Sequence, residues 1–160
     1  MQVLKKNVLT ESSLYHGLLS KPSLVDNDRI RNVILTDYAR NTKTFDQHIG
    51  WVYDYVRDYF KLEYERTLIQ TETKPLIQQS GAVVEKQRFD DEDFTVLYSV
   101  DMTDVNVILH YDNHRSKENT WTIPVTKRKF IIWNSDIDFE ITENKKSDFN
   151  IALLINCKAT

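Results

Sequence analysis

Apolar residues recur along this chain in two different rhythms, and the change between them falls near Glu65. Upstream of it, Ile30, Val33, Ile34 and Tyr38 follow one another at helical spacing, which predicts one amphipathic helix. Asp26 or Asn27 stands where that helix needs a cap. A second, denser pattern puts Ile49, Val52, Tyr53, Val56 and Phe60 on one face, with Asp46 near the N-terminus to meet the positive end of the helix dipole. The same stretch carries Trp51, Tyr55, Tyr59 and Tyr64, more rings than a single stripe can bury. Trp51, Tyr55 and Tyr59 are therefore candidate interaction residues, since Tyr and Trp suit interfaces as well as cores.

Downstream the period shortens. Thr67 to Thr73, Leu76 to Lys86, Phe94 to Val100 and Val105 to Tyr111 are short runs rich in β-branched and aromatic residues. Thr120 to Val125, Lys129 to Trp133, Ile137 to Thr142 and Phe149 to Cys157 continue the series. Before the helices, Gln2 to Val8 predicts one short strand, followed by a polar connector to Lys21 and Pro22. The expectation is a mainly β chain with N-terminal helices: a jelly roll with two amphipathic helices packed on one sheet. A single domain over 1–160 is expected, with a strand and connector in 1–25, helices in 26–65 and the β core in 66–160. With 3 Gly and 3 Pro in the whole chain, the turns must draw on Asn and Asp, which tolerate left-handed backbone.

Composition narrows the function classes. A formal net charge of −3 argues against nucleic-acid binding, which takes most of its affinity from basic surface. No run approaches the roughly 18 apolar residues of a membrane span, and the N-terminus lacks the apolar core of a signal peptide, so a non-secreted protein with no membrane partner is expected. Cys157 is the only cysteine, which excludes an intrachain disulfide and a cysteine-based zinc site; its place in an apolar strand pattern reads as core. Asp90-Asp91-Glu92-Asp93 lacks the spacing and turn glycine of a calcium loop and reads as a solvated loop. Lys127-Arg128-Lys129 reads as a charged turn, and His16 and His48 as exposed or capping residues.

Three segments carry a resemblance. Ser80 to Phe89 with the following Phe94 to Val100, Val107 to Arg115, and Phe130 to Ser135 resemble, in order and spacing, motifs of phage and marine bacterial 2-oxoglutarate/Fe(II) oxygenases. In that family a Gly precedes a His-x-His or His-x-Asp pair, and later strands end in Asp-Pro-Arg and in Phe-Pro-Ser. The upstream helix with Gly50-Trp51 fits as well, so the likeness covers most of the chain after Pro22. It implies a double-stranded β-helix. Carried across residue by residue, the metal ligands fall on Gln87, Phe89 and Phe139, and the arginine that pairs with the 2-oxoglutarate carboxylate falls near Phe149 or Asn150. A phenyl ring has no lone pair for iron, and an apolar or neutral residue removes the charge-assisted bond to a dicarboxylate.

The resemblance thus implies a degenerate member lacking the metal triad. The leading expectation is a non-catalytic jelly-roll module, not an enzyme and without cofactor or metal, that binds other virion proteins or itself in a phage tail, neck, baseplate or decoration, or as an assembly factor. Its location would be the virion or the host cytoplasm. The first alternative is an oxygenase with unusual ligands, His110, Asp112 and His114, and Arg115 for the co-substrate; His110 and Asp112 match His-x-Asp on one strand face. The second is a carbohydrate- or small-ligand-binding jelly roll with Trp121 or Trp133 as a stacking platform.

Overall fold

In the computed structural model, which describes residues 5–9, 12–18, 24–88, 92–112 and 118–160, the two rhythms become two helices and two antiparallel sheets. Strands β1 (Lys5–Leu9) and β2 (Ser12–Leu18) precede helix α1 (Leu24–Arg40), a 3₁₀ turn at Phe45–His48 and helix α2 (Gly50–Tyr64). Then come β3 (Leu68–Gln78), β4 (Val84–Gln87), β5 (Phe94–Asp101), β6 (Val105–Asp112), β7 (Glu118–Val125), β8 (Lys129–Asn134), β9 (Asp138–Ile141) and β10 (Asn150–Ala159). One sheet has the order β1-β2-β8-β5-β10-β3 and the other β4-β9-β6-β7. From β3 onward the chain passes back and forth between the sheets, an arrangement consistent with an oxygenase-type jelly roll. No helix among the described residues is long and apolar enough to cross a membrane.

The central strands β5, β8 and β10 of the larger sheet are buried on both faces, so they supply two cores by alternation. Val96, Tyr98, Val100, Phe130, Ile132, Ile151, Leu153 and Ile155 meet Ile30, Ile34, Val52, Val56 and Phe60 of the helices. Leu97, Ile131, Trp133, Ala152 and Leu154 point the other way and meet Val107, Leu109, Phe139 and Ile141 of the smaller sheet. Each large aliphatic side chain buried this way contributes roughly 1.5–3 kcal/mol of transfer free energy.

Several expectations shift. β2 lies in what the sequence pattern presents as connector: Ser12-Ser13-Leu14-Tyr15-His16-Gly17-Leu18 lacks apolar–polar alternation, yet its backbone pairs with both β1 and β8. β3 is one strand running through Pro75, which a sheet edge tolerates because an outer strand can leave one N–H position unpaired. α1 starts at Leu24, so Asn27 lies inside it and serves a tertiary role. Its Nδ2 donates to the Val100 carbonyl (2.5 Å), and Tyr98 donates its phenol to Asn27 Oδ1 (2.6 Å). Tyr38 is off the buried stripe at 57% exposure. Asp46 sits in the 3₁₀ turn, and α2 has no acidic residue in its first turn.

The corner after α1 depends on one carboxylate. Asn41 takes a left-handed φ of 53°, and Thr42 N–H returns to the Asp37 carbonyl (3.0 Å), which closes a Schellman-type helix end. The buried Asp37 side chain accepts from the Thr42 and Thr44 hydroxyls (both 2.7 Å) and from the Thr44 and Phe45 amides (both 2.8 Å). Burial pushes this carboxyl up, but these four donors outweigh it and hold its pKa below the ordinary aspartate value. A depressed carboxyl stabilises the fold above the unfolded-state pKa and loses that contribution as pH falls through the folded value. Asp37→Ala is expected to lower unfolding stability by about 2–3 kcal/mol at neutral pH. Denaturant titrations should show the gap from wild type closing as pH drops below the ordinary carboxylate range.

Candidate functional site

One end of the inter-sheet space gathers the strand ends on which the resembling family builds its site. The end of β4, the start of β9 and the end of β6 meet there, with Gln87 in register with Phe139 and His110 in register with Asp138. The start of β5 and the ends of β8 and β10 form the opposite wall, with Phe94 paired to Asn134 and Cys157. We call this end the mouth.

At the mouth the inward position of β9 is Phe139. It is 0% exposed, and its ring lies 5.3 Å from that of Trp133, tilted by 49°. Gln87, its register partner, is exposed, and its amide donates to the Glu85 carbonyl at 3.3 Å. Phe89 lies outside the described residues. Where the resemblance places the co-substrate arginine, Phe149 packs against the helix-side core. Asn150 is buried, donating to Gln78 Oε1 and accepting from Thr103 N–H, both at 3.2 Å. Among the described residues no three His, Cys, Asp or Glu side chains gather at metal-binding spacing. An iron and a dicarboxylate therefore do not fit at the family's positions.

His110 points elsewhere. On β6, Val105, Val107 and Leu109 face the inner core, so Asn106, Ile108 and His110 face outward. On that outer face His110 Nε2 lies 3.3 Å from Glu140 Oε1, and Asp138 is ion-paired to Arg88 at 3.0 Å. Glu140 is not singled out by the sequence motifs; its signal is the alternation of Asp138, Phe139 and Glu140 along β9. Asp112 ends β6, but its side chain lies outside the described residues, as do His114 and Arg115.

The inner face of the mouth carries a polar group that sequence reasoning missed. Thr95, Ser135 and Asn156, from β5, the end of β8 and β10, are all buried. Thr95 Oγ1 and Ser135 Oγ are 3.0 Å apart, and Ser135 donates to Asn156 Oδ1 at 3.4 Å.

The remaining candidates find packing roles or surface positions. Trp51 meets Tyr98 and Tyr55 edge-on (5.8 and 6.4 Å), and Tyr55 stacks on Tyr59 (6.2 Å), all partly buried against the helix-side core. Trp51 also lines an open groove of about 300 Å³ with Arg29, Gln47, His48 and Gly50. Trp133 is fully buried and Trp121 packs at the edge of the inner core, so Trp133 offers no open stacking face. Cys157 is buried, and burial, with the Glu92 charge second, pushes its thiol up to about 12, which makes it inert. Arg128 takes a left-handed φ of 67° between β7 and β8, so the basic cluster is a turn. His16 is in strand β2 and His48 in the 3₁₀ turn.

Comparison with known proteins bears on the fold. No family model and no curated protein matches this sequence. Among solved structures, the chain is similar to AviO1 from Streptomyces viridochromogenes Tue57, with a TM-score of 0.69 at 6% identity, covering 91% of this chain and 89% of that one. It is also similar to an oxidoreductase of the 2OG-Fe(II) oxygenase family from Burkholderia pseudomallei, with a TM-score of 0.58 at 9% identity over 97% and 72% of the two chains. A prolyl-4-hydroxylase from Pseudomonas putida gives 0.52 at 10% identity over 82% and 81%. The fold is therefore oxygenase-like. This corrects the expectation of a protein that is not an enzyme: the arrangement is one that oxidoreductases and hydroxylases use, and nothing in these likenesses speaks for a virion component.

The filled inner position yields a stability test. Phe139→Ala is expected to cost about 3–5 kcal/mol, measured by chemical denaturation, because it opens a cavity beside Trp133. A change within experimental error would show that the ring is not core.

Proposed function

We propose that this chain is an oxygenase of the 2-oxoglutarate/Fe(II), double-stranded β-helix type that works with a non-standard ligand set centred on His110. The observation that carries this is the 3.3 Å approach of His110 Nε2 to Glu140 Oε1, on the sheet whose strands bear the metal ligands in the resembling family. An imidazole nitrogen and a carboxylate oxygen are two of the three donors of a facial triad. Asp112, the next position of the same parity on β6, is the proposed third, and His114 the alternative. A ferrous ion bound there would supply dioxygen activation.

The residues around that pair have definable tasks. Glu140, on the strand beside β6, brings its Oε1 to 3.3 Å from His110 Nε2, so the two atoms would stand side by side as donors to one ion. Arg88 brings a guanidinium to the same outer face through Asp138 and gives a carboxylate-bearing co-substrate a fork-shaped partner. The Phe139–Trp133 contact keeps the inner wall of that sheet rigid.

Anaerobic thermal unfolding with Mn(II) or Fe(II), with 2-oxoglutarate, and with both tests the reading, because a ligand bound only by the native state raises the midpoint. Wild type is expected to rise with metal and further with both. His110→Ala and Glu140→Gln should remove the rise while keeping a cooperative transition. No rise in any condition, or an equal rise in both variants, would overturn the assignment.

A further inference from the structure

An open groove runs along the helix layer, on the other face of the larger sheet from the strand that carries His110. One lobe, about 490 Å³, lies against α1 at Asp28, Arg29, Asn32 and Val33 and reaches Thr44. The second, about 300 Å³, runs from Arg29 to Gln47, His48, Gly50 and Trp51. Arg29 lines both, and each volume falls within the range of small-molecule sites, about 300–1,000 Å³.

Two observations separate this groove from ordinary surface relief. Its wall opposite α1 is fixed: the Asp37 carboxylate accepts from the Thr44 and Phe45 amides, and Phe45 and Ile49 are buried at 2% and 0% exposure. A preset wall spares a ligand the cost of ordering it. The second observation is Gly50, which opens α2 although glycine is a poor helix former. Its φ lies outside the left-handed region, so the backbone does not require a glycine there. Packing does not require it either, since no atom beyond its own helix and chain neighbours lies within 4 Å of where a Cβ would stand. What the missing side chain leaves is space in the groove.

The lining sets the chemistry of the ligand. Asp28 and Arg29 are neighbours of opposite sign, so a ligand of either net charge meets a like charge along with its partner. Among the described residues, the side chains of Asp28, Arg29, Asn32, Gln47 and His48 make no hydrogen bond or ion pair, and together they offer both donors and acceptors. Hydroxyl groups donate and accept at once, and they match such a set without bringing charge. Val33 and Trp51, partly buried against the helix-side core, supply apolar surface for the C–H face of a sugar ring.

We infer that this groove is a binding site for a neutral saccharide, held by Arg29, Asn32 and Gln47 beside Trp51, with the bare α-carbon of Gly50 keeping it open. The inference does not rest on the His110 assignment, and its test needs no metal.

The test is a protein-observed NMR titration of metal-free wild type, following the Trp51 indole and the Asn32 and Gln47 side-chain amides, with the buried Trp133 indole as internal reference. The probes are maltotriose, cellotriose and triacetylchitotriose, matched against trigalacturonate and the deacetylated chitosan trimer. At least one neutral trisaccharide should shift the groove signals saturably and leave Trp133 unmoved, and both charged trimers should bind more weakly than it does. Gly50→Leu should keep the wild-type thermal midpoint and weaken binding by about tenfold, the scale of one lost contact. Arg29→Ala, at an exposed position, should weaken it too, and carries the comparison should Gly50→Leu fail to fold. Groove signals unmoved by all three neutral sugars, equal or tighter binding of a charged trimer, or full binding by either folded variant would each overturn the inference.

Discussion

The central strands β5, β8 and β10 of the six-stranded sheet are buried on both faces, and the rest of the molecule follows from that constraint. In β10 the eight residues from Asn150 to Cys157 are all inaccessible, because odd positions meet the helices and even positions meet the second sheet. A strand with two buried faces has no solvent side on which to place a polar residue. Polar side chains in the interior therefore collect toward the two ends of the sandwich: Gln78, Asn144 and Asn150 at one, Thr95, Ser135 and Asn156 at the other.

Charge obeys the same geometry. Asp37 is buried only because its turn brings four donors to it, and Asp101 is held low, against the upward push of burial, by the hydrogen bond from Arg31 and the charges of Lys146, Lys127 and Arg31. The smaller sheet keeps one face toward solvent, and there the His110–Glu140 contact and the Arg88–Asp138 ion pair occur. The smaller sheet separates the two environments at the mouth: Phe139 packs in the apolar interior on one side, and titratable groups lie on the other.

Much of this is readable in the residues. Helical stripes locate α1 and α2, continuous apolar runs locate β5, β8 and β10, and the resemblance puts Gln87 and Phe139 at positions that pair in register. The direction of His110 is legible too, since parity with Leu109 decides it. What cannot be read depends on long-range pairing. β2 becomes a strand because β8 offers a partner, Asn27 leaves its capping role because Val100 and Tyr98 come within reach, and Glu140 becomes interesting only once β6 lies beside β9. The Thr95–Ser135–Asn156 group needs three strands side by side, an arrangement no local pattern encodes. The expectation of a protein without catalysis rests on the loss of ligands at the family's positions, and the likeness in fold to oxygenase structures runs against it.

β10 also fixes the order in which the chain can fold. It is the last strand in this sequence, yet it sits inside the larger sheet, paired to β5 on one side and β3 on the other. During synthesis β3 and β5 emerge with no strand to bridge them, and their apolar faces stay uncovered until residues near 150 leave the ribosome. Such long-range closure is slow and leaves sticky surface open to other chains. Removal of that strand would leave a four-stranded sheet and an unpaired β3 rather than a shorter version of the fold.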